Sequence, residues 1–277
     1  MTESTGLRAH PPETTEGWYV LHQVFAYDRP LLRTMLAAPR ADVGARASEL
    51  SAVVSPDVDG WSAIVPLIGS RADVMLVHFR ASLDAIGEAQ RRVARVEVFD
   101  AMTPTYSFLS VTEAGLYHAS AQLAAEAAER GGTVGDEMHR AAMTHRVAKE
   151  RASEHVQRRL FPRQPDNMPY VCFYPMSKRR AVGQNWYALP LEERSRLMMA
   201  HGTTGRTYAG KVSQVISGAI GLDAWEWGVT LFAADPLEFK KIVTDMRFDE
   251  VSAQYAEFGE FYVGKSASVT DWLASLG

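Results

Sequence analysis

Apolar positions fall in short alternating or continuous runs separated by amphipathic stretches, and the order of these runs occurs twice along the chain. WYVLHQVFAYD, starting at Trp18, has the β-branched and aromatic content of a strand, and Leu31 to Val54 reads as helical. GWSAIVPLIG and DVMLVHFRA then form a hairpin with its turn near Ser70–Ala72. Ser82 suits the cap of a helix reaching about Val96, and TYSFLSVTEAG is a closing strand.

The second pass opens with YVCFYPMSK at Tyr170, followed by a helix from about Leu191 to His201 with Pro190 suited to its first turn. KVSQVISGAIG and AWEWGVTLFAA make the next hairpin, Asp235-Pro236 opens another helix, and FGEFYVGKS closes the set. SLDAIGEAQRRV and PLEFKKIVTDM, each after a strand, correspond between the halves. Each half is therefore β-α-β-β-α-β, and the fold class is α+β with two tandem ferredoxin-like units. The division is a tail at 1–17, an N-terminal unit at 18–118, a helical linker at 119–168 and a C-terminal unit at 169–277.

The linker is rich in Ala, Glu, Arg and His, and Gly131-Gly132 breaks its helical pattern. His139, His145 and His155 lie here, but their one-turn neighbours Met143, Lys149 and Arg151 are not metal ligands. A solvated helix face is the reading. His22 and His78 sit inside strand patterns, where a hydrogen-bonded histidine is the default.

Composition narrows the function classes. The 277 residues are 47% hydrophobic and 22% charged, which is ordinary globular composition. A net charge of −4 gives no electrostatic case for nucleic acid or an anionic membrane. One cysteine, Cys172, excludes an intrachain disulfide and a multi-cysteine metal site. The polar N-terminus lacks the apolar segment of a signal peptide, and no apolar run is long enough to span a bilayer. A soluble cytoplasmic protein is expected.

The second half holds the candidate chemistry. Strand alternation puts Tyr174, Met176 and Lys178 on one wall, a phenol, a thioether and an ammonium in a row. Pro175 interrupts the ladder, as at a strand end or pocket rim, and Lys178-Arg179-Arg180 concentrates positive charge suited to carboxylates or phosphates. An edge strand guarded by basic residues fits the same residues equally well. His201 falls one turn after Leu197 and Met198, so it points inward at the helix end just before Gly202. A histidine favoured there by the helix dipole and an inward imidazole free to bind iron both fit.

CFYPMSKRR, NWYALPLEERSRLMMAHGTTGRTYAGKVSQVISGAIGLDAWEWGVTLF and MRFDEVSAQYAEFGEFYVG closely resemble the coproheme decarboxylases of the chlorite dismutase-like superfamily. The resemblance spans Trp18 to Gly264 in element order and is dense from Arg159 onward. It implies a dimeric α+β barrel within one chain, its C-terminal unit binding the porphyrin. It also implies that His201 is the axial iron ligand, that Tyr174 is redox-active, and that Lys178 and Arg159 bind or orient propionates. Gln214 matches the distal glutamine, Ser252 a serine on a propionate, and Trp186 a residue beside the porphyrin, while Pro175, Met176 and Ser177 fall within the binding motif. The activity implied is the oxidative decarboxylation of two propionates of Fe-coproporphyrin III (coproheme) to vinyls, giving haem b, with hydrogen peroxide and a tyrosyl radical. That is the last step of coproporphyrin-dependent haem biosynthesis. A ring of five copies and a transient contact with the enzyme supplying coproheme are further implications.

A haem peroxidase or chlorite dismutase-like enzyme, and a non-catalytic haem carrier or sensor, are the competing readings. Chlorite dismutases place an arginine where this chain has Gln214, and storage needs no redox phenol beside propionates. The 119–167 segment is longer than the family leads one to expect, and Glu250 is the weak candidate for a carboxylate partner of His201.

Overall fold

A computed structural model of the chain describes residues 10–36, 48, 50–52, 54 and 59–276. The N-terminal unit comprises β1 (Thr14–Tyr27), α1 (Arg29–Leu36), β2 (Gly60–Pro66), β3 (Val74–Arg80), α2 (Leu83–Val93) and β4 (Met102–Gly115). Three helices follow, α3 (Tyr117–Glu129), α4 (Glu137–Arg151) and α5 (Glu154–Leu160). The C-terminal unit is β5 (Tyr170–Lys178), α6 (Leu191–Arg206), β6 (Val212–Gly218), β7 (Trp227–Ala233), α7 (Leu237–Phe248), α8 (Glu250–Tyr255), β8 (Ala256–Phe258) and β9 (Tyr262–Lys265), with α9 (Val269–Ser275) last.

The sheet runs β2-β3-β1-β4-β6-β7-β5-β8, with β9 also on β5, and its paired strands are antiparallel. This is two ferredoxin-like sheets joined edge to edge where Val111 and Thr112 of β4 pair with Gly218 and Ser217 of β6. The outer edges also meet. Ile64 bridges Ala267 and Leu67 bridges Gly264, so the sheet closes into a barrel. At that seam a Cβ on Gly264 would lie 2.1 Å from the Pro66 carbonyl oxygen, so only glycine permits the approach.

Closure explains why the strands read as continuous apolar runs rather than clean alternations. One face of each strand lines the barrel interior, where Trp18, Val20, Val24, Trp61, Phe79, Phe108, Phe173 and Phe232 pack together. The other face is covered by helices: Phe25, Ile64, Leu76, Val98 and Trp272 form the outer core of the N-terminal unit. Ser82 caps α2 by accepting from the Ala85 N–H, as its position predicts.

Four expectations change. The strand begins at Thr14, not Trp18, because Thr14 to Glu16 pair with Gly115 to Glu113 through backbone bonds that need no apolar side chain. The helix expected over Leu31 to Val54 is observed as α1, which ends at Leu36; positions 48, 50–52 and 54 are helical and the rest of that stretch lies outside the described residues. α6 continues five residues past His201 to Arg206, so His201 is inside the helix and the dipole reading does not apply. The closing strand is split into β8 and β9, on either side of the point where the Gly259 N–H bonds the Pro175 carbonyl. α9, which the sequence pattern did not suggest, is capped by Ser268.

In the inter-unit helices, α3 packs against α6, and Tyr117 meets Trp186, in the turn before α6, edge-on. His139 is buried, His145 and His155 are exposed, and no group of three or more metal-ligating side chains occurs among the described residues. No helix among them is long and apolar enough to cross a membrane.

His22 and His78 are fully buried on opposite faces of the N-terminal sheet, bonded to Thr230 Oγ1 at 2.9 Å and Ser62 Oγ at 2.7 Å. Burial, reinforced by the His78 charge on His22 and by Arg80 on His78, lowers both to about 3. Their ordinary value in an unfolded chain is near 6.5, so the unfolded state binds more protons between those limits. Stability is full above about 6.5 and declines as pH falls toward 3, with the unfolding equilibrium taking up as many as about two protons. Denaturant melts across that range should show this slope, and His78→Asn should make it shallower by about one proton.

Candidate active site

The outer face of β5, β6 and β7 differs from its N-terminal counterpart. The register sets Tyr174 beside Val229 and Ile216, and Cys172 beside Leu231 and Gln214. α7 covers part of this face through Phe239, Ile242, Val243 and Met246. α6 approaches the rest, and a Cβ on Gly205 would lie 3.2 Å from Met246 Cε and 3.4 Å from Gln214 Nε2. Gly205 is thus where helix and sheet come close, and small size rather than helix breaking explains a glycine there.

His201 lies one turn before Gly205 on the same side of α6. Its Nδ1 is 2.5 Å from Asp249 Oδ2, and its Nε2 makes no hydrogen bond to a described residue. Asp249 caps α8, accepting from the N–H groups of Val251 at 2.9 Å and Ser252 at 3.3 Å and from the Ser252 hydroxyl at 3.5 Å. Burial would raise the Asp249 carboxyl, but the hydrogen bond and charge of His201, together with those backbone donors, outweigh it and hold the group below the ordinary range. The partner of His201 is therefore Asp249 and not Glu250, which instead meets Arg196 at 3.1 Å on the exposed side. An imidazole pinned at one nitrogen and free at the other is suited to hold a metal.

Lys178 ends β5 on the same wall as Tyr174 and Met176. It is 9% exposed, and its Nζ lies 4.5 Å over the ring of Trp186. No carboxylate is within ion-pair distance of it among the described residues. Burial brings the ammonium down to about 8, with Asp249 and then Glu226 pulling the other way. Trp186 itself is in the core with Leu197, Val251 and Tyr255, behind Lys178 rather than in the open.

The Tyr174 ring stacks on Phe261 at 4.4 Å and tilts against Phe258 at 5.9 Å, and its hydroxyl has no partner among the described residues. Burial and then the Cys172 charge raise the phenol, the Arg247 charge opposing, so the side chain keeps its proton through the neutral range. Arg247 lies 3.9 Å over the Phe258 ring.

Pro175 and Ser177 alternate to the opposite face, where Ser177 Oγ accepts from the Glu226 N–H at 3.2 Å. Arg159, on α5, is near enough to Glu113 of β4 for the two charges to act on each other. Glu113 lies over Gly218 and accepts from the Trp227 indole at 2.9 Å, and Trp227 is the register partner of Met176. The structure thus brings His201, Ser252, Lys178 and Trp186 around Asp249, with Tyr174, Met176 and Gln214 on the facing sheet. Asp249 and Arg247 escaped the sequence reading. The N-cap position of Asp249 was the available signal, while Arg247 offered none.

The chlorite dismutase family pattern matches residues 44–267. Proteins named coproheme decarboxylase are similar to this chain. One from Thermus thermophilus is 41% identical over 273 residues, covering 96% of this chain and 97% of its own. Another, from Staphylococcus saprophyticus, is 39% identical over 259 residues, 91% and 93% of the two chains. A solved heme-binding protein, also from Thermus thermophilus, superposes with a TM-score of 0.79 at 40% identity, covering 98% of this chain and all of that one. A mutant chlorite dismutase from Candidatus Nitrospira defluvii, 16% identical with a TM-score of 0.69 and covering 95% and 96%, shows the shared fold.

Asp249→Ala removes both the cap of α8 and the acceptor for His201, and should cost about 1–2 kcal/mol of stability by denaturant titration. Asp249→Asn keeps an acceptor for the Val251 and Ser252 N–H groups and should lose less than half of that.

Proposed function

The chain belongs to the chlorite dismutase family, and from that premise we propose that it oxidatively decarboxylates iron coproporphyrin III, the substrate for which its relatives are named. The observation that carries the reading is the Lys178 ammonium, buried on the Tyr174 wall without an ion partner among the described residues. A buried cation with no direct ion partner is costly, and a porphyrin carrying four propionates brings an anion that can pair with it.

In this reading His201 holds the iron through Nε2, and Asp249 fixes the ring through Nδ1 and strengthens it as a donor. Lys178, Ser252 and Arg159 would contact propionates, Gln214 would meet the porphyrin from the sheet, Met176 would supply apolar contact, and Trp186 backs Lys178 from the core. Pro175 and Ser177 contribute through the backbone they hold, since their side chains face away. Once bound, the iron porphyrin would supply the redox chemistry, with hydrogen peroxide as the two-electron oxidant, which takes up two protons and leaves as two waters. Tyr174 gives up its electron and proton together and then takes one hydrogen atom from the β-carbon of a propionate. Carbon dioxide would then leave, the second electron would go to the peroxide-derived oxidising equivalent, and a vinyl group would be formed. A second round consumes a second peroxide and gives haem b. Lys178 orients and neutralises the carboxylate without acting as a base.

A chlorite-degrading role is the weaker alternative, because the resemblance places arginine in chlorite dismutases where this chain has Gln214.

Loading the protein with iron coproporphyrin III and titrating hydrogen peroxide should give two successive losses of carbon dioxide plus two hydrogens by mass spectrometry. No such losses would overturn the assignment. Tyr174→Phe should bind the porphyrin and leave it unconverted, whereas His201→Ala should abolish the iron–imidazole absorbance signature.

Lys178 sets the pH dependence of binding. Its charged form is present below about 8 and lost as pH rises through that value. Porphyrin affinity should hold below that point and fall by up to about tenfold per pH unit above it. Lys178→Arg, charged throughout, should remove this alkaline limb in an absorbance titration.

A further inference from the structure

β5 and β7 stop pairing at Met176 and Trp227, yet the chain beyond them is held in a specific way. The Glu226 N–H donates to the Met176 carbonyl at 3.1 Å and to Ser177 Oγ at 3.2 Å. Its own carbonyl accepts from the Ala219 N–H at 2.7 Å. Where the ladder would need one more backbone acceptor, the Glu226 side chain provides it, and Oε2 accepts from the Lys178 N–H at 2.7 Å. On the other edge Lys178 pairs with Ala256 of β8. Lys178 is therefore clamped from both sides, and its stem has one course, over Trp186.

The carboxylate doing this is itself buried, with 8% of the residue exposed, and its ion partner among the described residues is the loosely placed Arg180, 3.6 Å away. A neutral amide or a backbone carbonyl would satisfy the same N–H. A buried charge costs more than either, so its presence needs a reason beyond the hydrogen bond. The reason lies in the neighbouring ammonium, which has no direct ion partner among the described residues and receives its compensation from Asp249 and Glu226 at longer range.

We propose that Glu226 is a positioning residue for Lys178, fixing the direction of its side chain through the backbone bond and keeping it charged through its own negative charge. The proposal rests on the reading of Lys178 as a carboxylate-binding residue and adds a group that touches no substrate. The charges that act on Lys178 are Asp249 from the α8 cap and Glu226 from the residue before β7, while its chain neighbours Arg179 and Arg180 pair with Glu257 and Glu226.

Two substitutions separate the two roles. Glu226→Gln keeps an oxygen for the Lys178 N–H and removes the charge, whereas Glu226→Ala removes both. The Lys178 midpoint can be followed without porphyrin, by carbon NMR of the side-chain ε-carbon in lysine-labelled full-length protein, with Lys178→Arg assigning the signal. Both variants should lower that midpoint by about half to one pH unit. With iron coproporphyrin III and peroxide, Glu226→Gln should raise KM about threefold with kcat nearly kept. Glu226→Ala should raise KM about tenfold and also reduce kcat, because the propionate is no longer aimed at Tyr174. A Lys178 midpoint that stays at its wild-type value in Glu226→Gln, whose conservative change preserves the fold, would overturn the proposal. A midpoint shifted in the variants, alongside wild-type protein that converts no porphyrin, would uphold the clamp and remove the functional reading on which it was placed.

Discussion

Closure of the sheet is the constraint from which the rest follows. With β2 meeting β9 at Gly264, the barrel interior is committed to packing, and Phe79, Phe108, Phe173 and Phe232 fill it together. A broad flat ligand can then be accommodated only outside the sheet, between strands and helices. Two such places exist, one per ferredoxin-like unit, and the two have been filled differently. Over the N-terminal sheet, Phe25, Ile64, Leu76, Phe99 and the crossing helix α9 with Trp272 form a dry core. Over the C-terminal sheet the same topological position carries Gln214, Lys178 and His201, and glycine where α6 comes nearest. The duplication supplies two equivalent faces, and side-chain chemistry sets them apart.

Asp249 organises that site because one carboxylate serves several neighbours. It ends α7, caps α8, holds His201 and lies close enough to Lys178 to favour its charge. Each of these interactions is ordinary. Together they tie the orientation of a candidate metal ligand on α6 to the position of a cation on β5, two elements distant in sequence. Arg247 and Phe258 do the corresponding work around Tyr174, one electrostatically and the other by packing.

The elements legible in the sequence were those whose signal is local. Ser82 announces a helix start, and hairpin strands such as GWSAIVP are rich enough in β-branched and aromatic residues to read without context. Thr14 to Glu16 were unreadable because they pair by backbone alone, and α6 was cut short at Gly202 because a glycine in a helix looks like a terminus. Only the tertiary approach of α6 to Gln214 and Met246 explains its neighbour Gly205. The wall of Tyr174, Met176 and Lys178 followed from strand period alone. Spacing could not choose between Glu250 and Asp249 as the partner of His201: adjacent acids differ only in which one precedes the helix and which one is already in it.

Charge placement gives the strongest argument that this face is built for an anion. Lys178 lies on the Tyr174 wall, Arg247 acts on Tyr174, and nearby carboxylates are engaged elsewhere: Asp249 by His201 and the α8 cap, Glu226 by the Lys178 N–H, Glu113 by the Trp227 indole. Each acid is near enough to moderate a cation, yet Asp249 and Glu226 stop short of an ion pair with Lys178. Had either formed one, the ammonium would be satisfied and a substrate carboxylate would have to break that bond to enter. Compensation at a distance keeps the cation charged while leaving its hydrogen-bonding capacity open, which is the electrostatic condition a propionate-binding site requires.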